Sequence, residues 1–251
     1  MNTGTKMLFV AIILCLSTTV PAACPPQRHD LNARVDFVLD GDTVRLVDGT
    51  HVRLIGINTP EMGRNRPAEP FAEQASQALK TLLRQTGNKV ILQYGVERFD
   101  HYGRTLAHVF LSNGLNVSEV LAKKGLALRI AIPPNLWGQD CYRQAEDDAR
   151  NKRLGLWSIP VIHAPDLPHM SKGFFLIQGR IKRIGKSRKS IWLNFDGNLS
   201  IRVARKDLAA FDNVNLTALR NHYLRVRGWV HNYRGENIMR LRHSSMLEIM
   251  K

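Results

Sequence analysis

The sequence predicts a mainly β protein of the α+β class. A small closed antiparallel barrel with helices packed on it precedes a second, small OB-like β-barrel. Three observations predict this. Short β-branched runs between turn signals fill residues 34–57 and 89–111, with helical periodicity between and after them. A Pro-rich stretch, residues 160–168, fits neither period and divides the chain. Beyond it lie five more strand-like runs whose faces carry basic and aromatic residues.

Taken in order, residues 1–23 read as a secretory signal: Lys6, an apolar run over 7–16, then small residues up to Ala23. The run is shorter than the roughly 20 residues a membrane span needs, so no integral segment is expected after cleavage. The protein is therefore expected to be secreted or periplasmic. Of three cysteines, Cys24 and Cys141 then remain. After export they can form a disulfide or stay as thiols. A lipidated Cys24 is a third option, against which Pro21 argues, because a lipidation signal usually has Leu there.

Residues 24–33 read as a linker and 34–159 as the first domain. Val35, Phe37 and Leu39 alternate with polar residues in a half-buried strand. Runs at 44–47 and 51–57 flank Asp48-Gly49, a hairpin turn signal. Residues 62–70 are an irregular loop. Phe71, Ala75, Ala78, Leu79, Leu82 and Leu83 recur at helical spacing over 70–85, and Thr86-Gly87 ends the helix. Strands follow at 89–94 and 104–111, and helices at 117–124 and 139–153. After a linker at 160–172, the second domain (173–251) shows strands at 174–184, 190–194, 199–204, 223–231 and 238–241, with a short helix near 206–211.

The charge is large and uneven. The whole chain of 251 residues carries +15. Residues 171–251 hold 17 Lys and Arg against 5 Asp and Glu, which leaves only +3 for the first 170 residues. Such a field favours polyanions, either nucleic acid or an acidic membrane surface. Trp192, Phe195, Tyr223, Trp229 and Tyr233 lie among these bases. Basic grooves with interleaved rings suit single-stranded nucleic acid, although most such rings belong to a core.

Chemistry concentrates at the open ends of the predicted hairpin. Asp40 and Asp42 stand at one end, Asn58, Thr59 and Glu61 at the other, and Arg53 lies mid-strand. Oxygen ligands, a carboxylate base and an arginine are what metal-assisted phosphodiester hydrolysis requires. A turn, Asp100-His101-Tyr102-Gly103-Arg104, would deliver a second arginine. The pieces AspGlyAspThr, ArgLeuIleGlyIle-x-ThrProGlu and Asp-x-TyrGlyArg, in this order and spacing, resemble the staphylococcal nuclease family over about residues 34–157.

The resemblance implies an OB-type five-stranded barrel and a Ca²⁺-dependent nuclease, with Mg²⁺ or Mn²⁺ as alternatives. It implies Asp42, residue 58 and the Thr59 carbonyl as metal ligands and Glu61 as general base. Arg53 and Arg104 would be phosphate clamps, whose guanidinium forks meet the charge of the transition state. Asn58 departs from the family pattern, which has aspartate there. It keeps one oxygen and loses the charge, so a weaker metal site is expected. Asp42 alone could equally be a turn aspartate serving its own backbone. Tyr102 is a candidate substrate contact. The family's tyrosine pair is absent from LeuArgIleAlaIleProPro at 128–134, so substrate grip is expected to shift to Arg129 or to the second domain.

The function expected is low-specificity endonucleolytic cleavage of DNA and RNA, single strands preferred, leaving 3′-phosphate ends, with no obligate protein partner. Two rivals remain. One is a non-catalytic nucleic-acid binder with a degraded metal site, for which Asn58 is the motive. The other is a basic envelope-binding protein, which accounts for the charge but not the motifs.

Overall fold

The computed structural model describes residues 24–63 and 67–250, so the expected signal lies outside the described residues. In β1 (Leu31–Val38), β2 (Thr43–Leu46) and β3 (His51–Leu54), Val35, Val38, Val44, Leu46, Val52 and Leu54 are buried. At the β2–β3 turn Gly49 adopts φ +86°, and Asp48 Oδ1 accepts the Thr50 N–H at 2.9 Å. β1 starts three residues inside the stretch expected to be linker, because Leu31 to Arg34 pair with a later strand.

At Gly56 the chain turns out of the barrel into β4 (Ile57–Asn58). Helix α1 (Ala72–Arg84) lays Leu79, Leu82 and Leu83 on the barrel. β5 (Lys89–Phe99) and β6 (Thr105–Leu111) close it in the order β1-β2-β3-β6-β5, with β3–β6 the parallel pair. Helix α2 (Val117–Lys123) is capped by Asn116, whose side chain accepts the Glu119 N–H at 3.2 Å. β7 (Leu128–Arg129) pairs with β4, and α3 (Gln139–Asn151) packs against α2.

The second part repeats the first in topology. It contains β8 (Ile162–His163), β9 (Gly173–Lys186), β10 (Ser190–Phe195), β11 (Leu199–Ala204), β12 (Tyr223–Tyr233), β13 (Glu236–Leu241) and β14 (Leu247–Met250). β12 pairs back onto β9 from Tyr223↔Arg180 to Val230↔Gly173, which closes the ring β9-β10-β11-β13-β12. β11–β13 is again the parallel pair. Both barrels therefore follow one path, with the fifth strand inserted between the third and fourth. The short helix expected near 206–211 is a 3₁₀ segment, Arg205–Phe211. The stretch expected to be a linker at 160–172 is partly ordered structure. β8 pairs in parallel with β9, and Ala164 and Leu167 are buried in the second core. Edge strand β14 was not anticipated.

Helix α3 joins the parts. Cys141 forms a disulfide with Cys24, with Cα atoms 5.8 Å apart. The Tyr142 hydroxyl lies 2.7 Å from His108 Nδ1. Both Glu146 oxygens accept from Arg227 Nη1 of β12, at 2.6 and 2.7 Å. Arg227 Nη2 reaches Glu248 of β14 at 2.7 Å, and Arg150 pairs with the same glutamate at 3.0 Å. Among the described residues no helix is long and apolar enough to cross a membrane.

Candidate active site

The two ends of the β2–β3 hairpin meet as expected. The Leu54 N–H donates to the Asp42 carbonyl at 2.8 Å, and the Thr59 N–H donates to Asp42 Oδ2 at 2.7 Å. Gly41 makes this approach possible, because a Cβ there would sit 2.7 Å from Ala75 Cβ and 2.8 Å from Thr59 Oγ1. Asp40 serves the loop itself, its Oδ1 accepting the Asp42 N–H at 3.0 Å. Asp42, Arg53, Asn58 and Thr59 are all buried.

Arg53 is the hub. Its Nη2 lies 3.0 Å from Asp42 Oδ2 and donates to Asn58 Oδ1 at 3.1 Å. Its Nη1 donates to the Leu54 and Ile57 carbonyls at 2.6 and 3.1 Å. The guanidinium thus faces inward onto the expected metal ligands rather than outward as a free fork. Burial pushes the Asp42 carboxyl up to about 7; Arg53 opposes this, while Asp40 adds to it. Arg53 thus offsets only part of the cost of burying this carboxyl.

Arg104 enters from the β5–β6 turn. Gly103 takes φ +79°, and Asp100 binds the turn closed by accepting the Tyr102 and Arg104 N–H groups, each at 2.9 Å. Asp100 Oδ2 also holds Arg104 Nε at 2.8 Å, while Nη1 reaches Thr43 Oγ1 at 3.5 Å. Thr43 Oγ1 in turn donates to Asp42 Oδ1 at 3.2 Å, so a chain of polar contacts links both arginines. Tyr102 is 74% exposed, with the Arg104 guanidinium 5.5 Å from its ring centre. Glu61 is exposed after the buried Pro60, and its N–H donates to Glu69 Oε2 at 3.0 Å.

Arg129 corrects an expectation. Its side chain is buried and cannot grip substrate at the surface. Nη2 donates to the Ser245 carbonyl at 3.2 Å, Nη1 to Gln139 at 3.3 Å, and Nε lies 3.8 Å from Glu146. It belongs to the joint between barrels, where it shares Glu146 with Arg227. Its neighbours Ile130 and Ala131 are buried in the second core, so this tyrosine-free stretch is covered by the second barrel.

A cleft of about 630 Å³ opens between the barrels. Arg53, Tyr102 and Arg104 line one wall, and Trp229, His231 and Arg240 the other. The expected residues Asn58 and Thr59 border a separate depression with Glu69 and Pro70. Of the second wall, Trp229 stands among the rings that the sequence placed on a basic face suited to nucleic acid, whereas His231 and Arg240 were assigned no role. Asp100 and Thr43 were assigned none either, although both lie inside the quoted motifs, which was the available signal.

Comparison with known proteins gives this geometry a context. A model of the staphylococcal nuclease homologue family matches residues 51–159. A thermonuclease of Staphylococcus intermedius is 37% identical over 166 residues, which cover 62% of this chain and 96% of that protein. The chain belongs to the staphylococcal nuclease family. A thermonuclease of Staphylococcus hyicus is 39% identical over 163 residues, covering 61% of this chain and 95% of its own. Endonuclease YncB of Bacillus subtilis is 35% identical over 139 residues, 53% of this chain and 64% of its own. The staphylococcal nuclease match ends at residue 159, before the second barrel begins. Where the resemblance led to the expectation of an aspartate, this chain carries the uncharged Asn58. Among the described residues no group of three or more His, Cys, Asp or Glu could hold a metal.

Proposed function

We propose that this protein is an exported, metal-dependent endonuclease that hydrolyses phosphodiester bonds of DNA and RNA with little sequence preference and leaves 3′-phosphate ends. The hydrolytic nuclease class follows from family membership. The observation that carries the finer reading is the buried cluster of Asp42, Arg53, Asn58 and Thr59, tied through Thr43 to Arg104. Export is supported by the Cys24–Cys141 disulfide, which suits an oxidising compartment and engages the sulfur a lipid anchor would need.

The donors fit a hard dication. They are all oxygens, gathered and buried at the meeting ends of the hairpin, and the Asp42 carboxyl among them can carry a negative charge. Asp42, Asn58 and the Thr59 carbonyl would hold it, and it would supply charge neutralisation and a more acidic bound water. Glu61 takes the proton from the attacking water, a role worth on the order of 10²–10⁴ in rate. Arg104, pre-set by Asp100, meets one phosphate oxygen. Arg53 meets another by exchanging Asn58 and Asp42 for substrate.

The test is cleavage of labelled single-stranded and duplex DNA and of RNA, with Ca²⁺, Mg²⁺, Mn²⁺ or EDTA, and with end-group determination. Metal-dependent cleavage that Glu61→Gln reduces at least a hundredfold is expected. Tight, salt-sensitive binding without cleavage under any metal would instead make the protein a binder with a lapsed site.

A further inference from the structure

The second barrel turns one transverse row of side chains outward. Trp192 of β10 pairs with Arg202 of β11, and Arg202 with Arg240 of β13. On β12, Val230 faces Met239, and both point into the core. Trp229, one residue before Val230, therefore shares the outer face with Arg240 and stands beside it. The row reads Trp, Arg, Arg, Trp across four strands, about 14 Å in three strand spacings.

These side chains are accessible and held in place. Trp229 is 43% exposed and stands T-shaped to Phe174, with ring centroids 5.0 Å apart; Trp192, Arg202 and Arg240 are half-buried. Arg202 lies 5.9 Å from the Trp192 ring centre and donates Nε to Ser190 at 2.9 Å. Arg240 Nη2 pairs with Asp207 at 2.7 Å, while its buried Nε has no partner. Groups already fixed lose little freedom on binding. The row ends in the cleft that Arg53 and Arg104 line from the other side.

We propose that this row is a track for single-stranded nucleic acid that feeds the active site. Trp229 stacks the base nearest the scissile phosphodiester, Arg240 and Arg202 take backbone phosphates, and Trp192 stacks a base further along. The assignment rests on the nuclease reading for the cleft's first wall. Alternating rings and guanidinium groups match a strand that alternates bases and phosphates, and the face carrying β10 and β11 is the one OB-folds use for oligonucleotides. The net +12 of residues 171–251 supplies the field. The second barrel thereby replaces the stacking platform missing from 128–134.

The experiment measures fluorescence anisotropy of a labelled dT 12-mer in EDTA, with Glu61→Gln as parent. Trp229→Ala should weaken binding about 5- to 100-fold, Trp229→Phe should restore most of it, and Arg202→Ala should lower the salt slope by about one. Tyr233→Ala, an exposed ring on the same strand but off the row, serves as control and should bind like the parent. Unchanged affinity in Trp229→Ala, or equal affinity for a base-free 12-mer of deoxyribose phosphate, would overturn the track. A parallel cleavage assay of the wild-type protein keeps the two readings apart. If wild type cleaves and Trp229→Ala binds normally, only the track falls. If wild type never cleaves and Trp229→Ala binds weakly, the row stands as a strand-binding site, while the nuclease reading and the feeding role that rests on it fall.

Discussion

Replacing Arg227 by Met tests whether buried charge joins the barrels. Arg227 is almost fully buried, and its guanidinium makes three short contacts: two to Glu146 at 2.6 and 2.7 Å and one to Glu248 at 2.7 Å. Charge-assisted hydrogen bonds contribute roughly 1.5–3 kcal/mol each, so the gross loss is about 5–9 kcal/mol. Part returns, because Met need not be desolvated. What remains is Glu146, buried against Arg129, whose N–H lies at 2.9 Å and Nε at 3.8 Å. Removing one partner of a buried pair costs about 3–5 kcal/mol, the value expected here. For a chain of this size that is a fall in Tm of roughly 6–20 °C. Urea unfolding of wild type, Arg227→Met, Glu146→Gln and the double variant isolates the pair. A coupling energy of about 2 kcal/mol or more is expected. A single-variant loss under about 1 kcal/mol with coupling below about 0.5 kcal/mol would refute a joint built on charge.

Other outcomes follow from the site and the core. Asn58→Asp restores a second carboxylate beside Asp42 and should lower the Ca²⁺ concentration for half-maximal cleavage; an unchanged metal titration would remove residue 58 from the ligand set. Burial pushes His108 from 6.5 down to about 3, with nearby Arg28 acting in the same direction, so the unfolded chain binds more protons between those values. Its contribution is complete above about pH 6.5 and is lost as pH falls toward 3, up to roughly 4–5 kcal/mol. Urea midpoints for His108→Gln should therefore depend less on pH over that window than those of wild type. Reduction of Cys24–Cys141, which closes a 117-residue separation, should cost roughly 4–5 kcal/mol by chain entropy, read as a lower urea midpoint in dithiothreitol. Gly41→Ala should lower both Tm and turnover, since its methyl would push Thr59 away from Asp42.

The first barrel was legible because its signals are local. Asp48-Gly49 fixes the hairpin, alternation fixes which face is buried, and the β2–β3 geometry then brings Asp42 to Thr59 without further information. The inward turn of Arg53 was not legible, since nothing in the spacing says that Leu54 and Ile57 leave carbonyls for it. Arg129 was misplaced for a related reason. The glutamate that captures it lies 17 residues away on a helix, and the arginine sharing that glutamate lies 98 residues from Arg129. Such partnerships are tertiary and carry no period. The edge strands β8 and β14 are short, and β8 sits among prolines that argue against any strand. The likeness of the two barrels was legible only as a count of five strand-like runs in each, while the pairing order that makes their paths the same is tertiary and had to come from the structure.

Helix α3 has a consequence for how the molecule opens. Four positions within three turns are each committed elsewhere: Cys141 to the amino-terminal segment, Tyr142 to the first core, Glu146 to β12 and Arg150 to β14. An element so tied cannot fray while the rest stays folded. Its amides should exchange with solvent only through global opening, and at the slowest rate in the chain, although much of its surface is polar. A protease would then find no early foothold there, and losing the helix would undo both barrels in one cooperative step.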